Sequence, residues 1–284
     1  MMIDLTERIL RQVIQPRPVE SHKGTFGRVL VVAGNEQYGG AGIMSASAAL
    51  FAGAGLVTLA SAAVNRTALH ARHPEIMFLD WTETAALRKS IQSADVIVVG
   101  PGLGLDPGAQ ALLRMVFTAV NAAQTLIVDG SALTLVAGGA IPFPQQPQLI
   151  LTPHQEEWHR LSGLTIAGQT VRANQTALAQ LPETTILVLK QHRTQIYADQ
   201  QVYRNTTGVA AMATGGMGDT LTGIIAAFCA QFGQNKKPLP ATLAAVYLHG
   251  LAGQELAVDH YVTLPSQICA QLPLLMARFS RAGL

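Results

Sequence analysis

The sequence predicts an α/β protein, a three-layer αβα sandwich around a mostly parallel central sheet, and three observations carry that prediction. Short runs of Val, Ile and Leu recur without hydrophobic–polar alternation, helical patterns separate them, and glycines cluster just after several of the runs. A parallel strand is covered on both faces, so it loses the period-two pattern of a half-exposed strand. Strand alternating with helix is the pattern of a sheet with helices on both sides.

Taken in order, Met1 to Leu10 carries Asp4, Glu7 and Arg8 in an amphipathic pattern and lacks the basic-then-apolar order of an export signal. Val29 to Ala33 reads as the first buried strand, Gly42 to Ala52 as the helix after it and Leu56 to Ala60 as the next strand. The uncharged span Gln37 to Asn65 is cut by Gly39, Gly40, Gly42, Gly53 and Gly55 into pieces too short to cross a bilayer, so no membrane is expected. Further strands are expected at Val96 to Val99, Leu126 to Val128, Leu149 to Leu151 and Ile186 to Leu189. Helices are expected at Pro107 to Ala122, Ala132 to Val136, Gln155 to Leu161 and Gln169 to Leu181. Thr194 to Ala198 and Gln201 to Asn205, separated by Asp199 and Gln200, alternate like a hairpin, so the sheet should end in antiparallel strands. Three helices follow, at Gly218 to Gln231, Ala241 to Val258 and Pro265 to Ala277, with Asn235 to Pro240 as a polar link. Neither an internal repeat nor an interdomain linker interrupts the pattern, which points to one domain over residues 1–284.

Composition narrows the function. The chain has 19 Lys+Arg against 17 Asp+Glu and is 13% charged, about half the usual share of roughly 25%. That excludes a disordered chain and a nucleic-acid binder, and Arg278 and Arg281 are too few for a basic patch. Hydrophobic residues make up 49% of 284, enough for one large core. Cys229 and Cys269 show no metal-ligand spacing and read as reduced core residues of a cytoplasmic protein. His70, His73 and Glu75 have the composition of a metal cluster, but their setting reads as a structural turn, and His249 and His260 read as packing or capping residues.

In open α/β sheets ligands sit at the carboxyl ends of the strands. The strongest motif expected there runs from Asn205 to Asp219, with glycines at 215, 216 and 218 ahead of an apolar helix. Such glycines let backbone N–H groups face a cavity at a helix N-terminus, where the dipole favours an anion such as phosphate. Asp219, in the first turn, is placed to deprotonate a hydroxyl facing that phosphate; the plainer reading is a glycine turn with an ordinary helix-start Asp. No Lys-Ser/Thr follows the glycines, so this is not a Walker A loop, and it opens a late helix, so it is not a Rossmann fingerprint.

The glycine-rich segment resembles the anion hole of the ribokinase-like superfamily. Lys23 to Gly34, Tyr38 to Ala41, Gly53 to Thr58, Gly100 to Gly104, Leu151 to His154 with Glu157, and Met212 to Asp219 together resemble the ADP/ATP-dependent NAD(P)H-hydrate dehydratase family, in family order over most of the chain. The resemblance implies a ribokinase-like fold and repair of NADHX and NADPHX, the hydrated forms of NADH and NADPH. It implies ADP or ATP as phosphoryl donor, AMP as the product from ADP, Mg2+, a homotetramer, and functional pairing with an NAD(P)HX epimerase. Asp219 then acts as base, and Gly215, Gly216 and Gly218 form the anion hole.

Carried over residue by residue, Ala41, Gly104, His154 and Asp219 match substrate contacts, and Lys190, Gln191, His192, Arg193, Thr194 and Gly218 match the nucleotide segment. Ala41 and His154 have plainer readings as helix-start and capping residues. Glu157 is expected to orient His154, to pair with Arg160, or to lie near magnesium. Gln191 stands where the family has glycine, Val209 where it has Asn, and Ser131 at the second acidic position of an Asp-Ala-Asp-like stretch; Asp129 reads as a residue holding that loop through backbone N–H groups. Two rival functions share the anion hole and Asp219: a small-molecule kinase of the same superfamily, acting on a vitamin precursor or a sugar, and a non-catalytic nucleotide sensor.

Overall fold

The computed structural model describes residues 2–233 and 237–280. Its strands are β1 (Met2–Asp4), β2 (Arg28–Val32), β3 (Leu56–Ser61), β4 (Met77–Asp80), β5 (Val96–Val99), β6 (Thr125–Val128), β7 (Gln148–Leu151), β8 (Thr185–Leu189), β9 (Gln195–Ala198) and β10 (Gln201–Arg204). They form one sheet in the order β1-β10-β9-β8-β7-β6-β5-β2-β3-β4. Pairing is parallel except where β9 meets β8 and β10. The β9–β10 hairpin turns through Asp199 and Gln200, both in the left-handed region at φ 48° and 62°, as a two-residue hairpin of this hand needs.

The helices are α1 (Arg8–Val13), α2 (Gly39–Phe51), α3 (Asn65–Arg72), α4 (Thr84–Ser93), α5 (Pro107–Ala119), α6 (Ser131–Ala137), α7 (Gln155–Ser162), α8 (Val171–Leu178), α9 (Met217–Phe232), α10 (Leu239–Leu256) and α11 (Pro265–Ser280). Alternate residues of each strand feed opposite layers, because successive side chains point to opposite faces. Val29, Val31, Val98, Ile127 and Val188 pack against α1, α2, α9, α10 and α11. Leu30, Val32, Val99, Val128 and Leu187 pack against α4, α5 and α6 and Trp158 of α7. Both faces are thus apolar, which is why the strands read as unbroken hydrophobic runs.

Several elements were not foreseen. Within the amphipathic N-terminal stretch Met2–Asp4 is a strand parallel to β10 and Arg8–Val13 the helix α1, while β4, α3 and α4 carried no sequence signal. His70 lies within α3, edge-on to Phe78, and only His73 and Glu75 lie in the turn beyond it. Helix α8 begins at Val171 because the Thr170 hydroxyl accepts the Ala173 N–H and caps it. Part of the Asn235–Pro240 link, and Arg281, fall outside the described residues. Both cysteines are buried and unpaired. Among the described residues no helix is long and apolar enough to cross a membrane.

The connectivity reverses between β2 and β5. From β2 the chain proceeds outward to β3 and β4; from β5 it proceeds the other way, to β6, β7 and β8. The loops after β2 and β5 therefore diverge and leave a crevice at their carboxyl ends, where doubly wound sheets take their ligands.

Candidate active site

Hydrogen bonds clasp the two loops that open this crevice. The N–H groups of Gly34 and Asn35 donate to the carbonyls of Pro101 and Gly102, at 2.9 and 2.7 Å. Asn35 Oδ1 accepts the N–H of Gln37 and Tyr38, shaping the turn into α2, while the buried Asn65 donates through Nδ2 to the carbonyl of Gly34 at 3.0 Å. Ala41, in the first turn of α2, lies against Gly102, where an added Cβ would come within 3.0 Å of the Ala41 Cβ. Gly104 sits at φ +92°, and a Cβ there would meet Asn35 Nδ2 at 2.8 Å, so a side chain is excluded by both conformation and space. Its N–H donates to Ser131 Oγ at 3.3 Å.

The loop after β6 joins this crevice to a charged cluster. Ser131 faces Gly104, and two residues earlier Asp129, 2% exposed, receives the Lys190 ammonium at 2.8 Å on Oδ1. The Thr222 hydroxyl, from the second turn of α9, lies 2.7 Å from Asp129 Oδ2. Asp129 thus holds a side chain from the end of β8 and one from α9, not its own loop's backbone N–H groups. Burial, the largest single influence, would raise the Asp129 carboxyl, but the charge and hydrogen bond of Lys190 together with Thr222 and Thr152 hold it below the usual carboxylate range. Burial would likewise lower Lys190, but Asp129 and Glu157 hold it above the ordinary lysine value.

Asp219 is the exception in this cluster. Burial first, and then the charge of Asp129, push its carboxyl up to about 6 against the opposing attraction of Lys190. Such a group is ionised at neutral pH yet basic enough to take a proton. It sits in the first turn of α9, whose N-cap Gly216 lies at φ +91°, a left-handed conformation that a side-chain-bearing residue resists. Gly215 is exposed just ahead of it. Gly218 faces Lys190, with its missing Cβ position 3.2 Å from the lysine Nζ. Glycines 215, 216 and 218, Lys190 and Asp219 therefore share the head of one helix, where unpaired N–H groups and the dipole favour an anion.

His154 caps α7. Its Nδ1 accepts the N–H groups of Glu156 and Glu157, at 3.2 and 3.1 Å, and Glu157 Oε2 accepts the His154 N–H at 2.8 Å, a reciprocal capping box. With Nδ1 engaged by the cap, Nε2 is the ring nitrogen left over, 3.6 Å from Glu157 Oε1. The exposed ring stands beside the segment after β8, since His154 bridges Lys190 in parallel. Glu157, buried, completes the cap and lies 3.9 Å from Lys190; Arg160 pairs with Glu156 instead. Of the remaining nucleotide-segment residues, Gln191 and Thr194 are half-buried and His192 and Arg193 exposed, in the turn from β8 to β9. The Thr194 carbonyl accepts the Asn205 N–H at 2.8 Å, tying this turn to the start of the glycine loop.

Sequence reasoning missed Asn35, Asn65 and Thr222. Asn65 lies in an unrecognised helix, and Thr222 looks like one more small residue in an apolar run. Among the described residues no group of three or more His, Cys, Asp or Glu could hold a metal ion. A caged metal is therefore a poor fit, but Mg2+ keeps most of its waters and is held by one or two carboxylates together with phosphates. Glu157 Oε1, which the cap does not use, fits that mode.

Known proteins resemble the chain over nearly its whole length. The family described as NAD(P)H-hydrate dehydratase matches residues 29–274. The ADP-dependent (S)-NAD(P)H-hydrate dehydratase of Lactiplantibacillus plantarum is 47% identical over 99% of both chains. The crystal structure of a ribokinase-like superfamily protein from Enterococcus faecalis superposes with a TM-score of 0.94 at 46% identity, covering 99% of this chain and 97% of its own. The ADP/ATP-dependent NAD(P)H-hydrate dehydratase from Bacillus subtilis, co-crystallised with ATP/Mg2+, superposes with a TM-score of 0.84 at 29% identity, covering 98% of this chain and 99% of its own.

Proposed function

The chain belongs to the NAD(P)H-hydrate dehydratase family, and from that premise we propose that it is an ADP-dependent hydro-lyase returning NADHX and NADPHX to NADH and NADPH. The observation that carries the reading is Asp219, raised to about 6, in the first turn of a helix whose head also holds three glycines and Lys190.

The chemistry follows from leaving groups. Hydroxide leaves a ring carbon poorly, whereas phosphate leaves readily when the adjacent ring nitrogen pushes electrons in. Asp219 takes the proton of the ring hydroxyl as its oxygen attacks the terminal phosphorus of ADP, and AMP departs. The C–O bond of the phosphorylated hydrate then breaks, phosphate leaves with the bonding pair, and the neighbouring ring carbon loses a proton to restore the double bond. The N–H groups at Gly215, Gly216 and Gly218 and the Lys190 ammonium meet the charge on the phosphoryl group in flight. Glu157 would hold a Mg2+ that came with the nucleotide, and the ion would supply neutralisation of phosphate charge.

Ala41 and Gly104, small residues at the mouth of the crevice, admit the hydrated dinucleotide, and the His154 Nε2–H donates to it. The segment Lys190, Gln191, His192, Arg193 and Thr194, with Gly218, takes the AMP portion. The name of the Lactiplantibacillus plantarum relative specifies the S hydrate. Repair of the other epimer therefore needs a separate epimerase acting at the hydroxyl-bearing carbon. The working form is a cytoplasmic homotetramer of one catalytic domain per chain; exposed Val258, Tyr261, Val262 and Leu264 offer apolar surface for assembly.

The test is recovery of dihydronicotinamide near-ultraviolet absorbance from purified NADHX with magnesium and ADP, ATP or no nucleotide. Recovery with ADP alone is expected. Folded protein that binds AMP yet restores no absorbance with either nucleotide would overturn the reading in favour of a kinase of another substrate or a nucleotide sensor.

A further inference from the structure

Three features of the site remain unused by the mechanism above: the buried carboxylate of Asp129, the buried hydroxyl of Thr222, and the contact each makes. The backbone of Asp129 packs on Gly100 of the loop after β5, and its carboxylate turns away to Lys190 and Thr222. Asp129 stands in the β6 layer and is 2% exposed, with one oxygen on Lys190 at 2.8 Å and the other 2.7 Å from the Thr222 hydroxyl. Thr222 in turn is one helical turn beyond Gly218, whose carbonyl its hydroxyl also approaches at 3.0 Å. A chain of contacts therefore runs from the helix that carries Asp219, through Thr222 and Asp129, to Lys190, the residue just after β8, which lies two places from β6 in the sheet.

We propose that Asp129, braced by Thr222, is a positioning residue that fixes the Lys190 ammonium at the head of α9, facing the phosphoryl group during transfer. The inference rests on the phosphoryl-transfer reading above. A free lysine has four rotatable side-chain bonds and a strongly hydrated charge. Held by a buried carboxylate, its ammonium sits against Gly218 before any nucleotide arrives, so no reorganisation is needed as charge develops. The absence of a side chain at Gly218 leaves the ammonium within 3.2 Å of where a Cβ would stand, on the anion-facing side of the helix. A carboxylate needed only to neutralise a buried lysine does not require a second brace from the catalytic helix. Thr222 supplies that brace and thereby links the lysine's position to that of Asp219.

The test is a double-mutant cycle on kcat with saturating NADHX and ADP, using Asp129→Asn and Lys190→Met singly and together. A displacement of about 1 Å in a catalytic group costs on the order of 10²-fold in rate, so Asp129→Asn is expected to lower kcat by about ten- to a hundred-fold while the KM for NADHX stays within about two-fold. In the Lys190→Met background the same substitution is expected to cost little further, because residues acting through one another are not additive. Thr222→Val, which keeps the shape and removes the hydroxyl, is expected to lower kcat by several fold, and Thr222→Ser to recover most of that loss. Circular dichroism and a cooperative thermal melt check that each variant is folded. If folded Asp129→Asn and Lys190→Met multiply independently, or if Thr222→Ser loses as much as Thr222→Val, the positioning role is wrong. If the unaltered enzyme itself shows no ADP-dependent recovery, the failure lies with the functional reading instead.

Discussion

Asp219→Asn should abolish turnover and, at the same time, make the protein more stable above neutral pH. The Asp219 carboxyl is raised from 3.8 to about 6 in the fold, chiefly by burial and then by Asp129. A raised carboxyl binds its proton more tightly folded than unfolded, so its contribution favours the fold at low pH. That advantage is lost as pH climbs from about 4 through about 6. Above that range the folded protein carries the full cost of holding the charge. A shift of about two units, at ~1.36 kcal/mol each, sets a ceiling of ~3 kcal/mol. The side chain is half-buried, and solvent screening trims the figure to about 1–2 kcal/mol. Asn is nearly isosteric and uncharged, so it escapes that cost and leaves Lys190 to Asp129 and Glu157. For a chain of this size each kcal/mol moves the midpoint by about 2 °C. Asp219→Asn should therefore melt about 2–4 °C higher than the parent at pH 8, with the gain shrinking toward zero by pH 4. Differential scanning fluorimetry over that range, without ligand, measures it. A variant no more stable at pH 8, or one whose gain does not change with pH, would refute the electrostatic account of this carboxylate.

The same ionisation should appear in turnover. With a base near 6, kcat/KM for NADHX at pH 5 should fall about tenfold below its value at pH 7, and a profile flat between those values would place the base elsewhere. His154 separates a cap from a contact. His154→Ala removes the acceptor for two N–H groups of α7 and should cost about 1 kcal/mol; His154→Asn restores the acceptor and the stability, yet both should raise the KM for NADHX because the Nε2–H is gone. Equal KM values for parent and both variants would confine His154 to capping. Gly223→Ala probes how α9 is seated against α2. Its Cβ would stand 2.0 Å from the backbone carbonyl of Ser45 and 2.9 Å from the Ala48 Cβ, so chemical denaturation should show a loss of about 2–3 kcal/mol. A loss under about 0.5 kcal/mol would show that the two helices separate easily.

How much of this was legible in the sequence depended on how far apart in the chain the relevant residues lie. The central strands announced themselves because burial on both faces leaves nothing but Val, Ile and Leu. The edge strand β4 did not, because it is Met77-Phe-Leu-Asp80, partly exposed throughout, and α3 buries only Asn65 and Leu69, too few for a readable apolar stripe. The glycine loop was visible because the backbone shape it needs is written in neighbouring residues, with Gly216 left-handed at the cap and Asp219 three positions on. The pairing of Asp129 with Lys190 was not, since 61 positions separate them and only the order β6-β7-β8 brings their strand ends close. That hidden pair bears on the visible residue. An unengaged lysine beside the glycine loop would turn to the nearest carboxylate in the first turn of α9 and draw its pKa down toward that of an ordinary aspartate, leaving a poor base. Asp129 occupies the ammonium and adds its own charge to the burial that raises Asp219. One buried carboxylate thus both holds the ammonium at the helix head and helps to raise its neighbour to about 6.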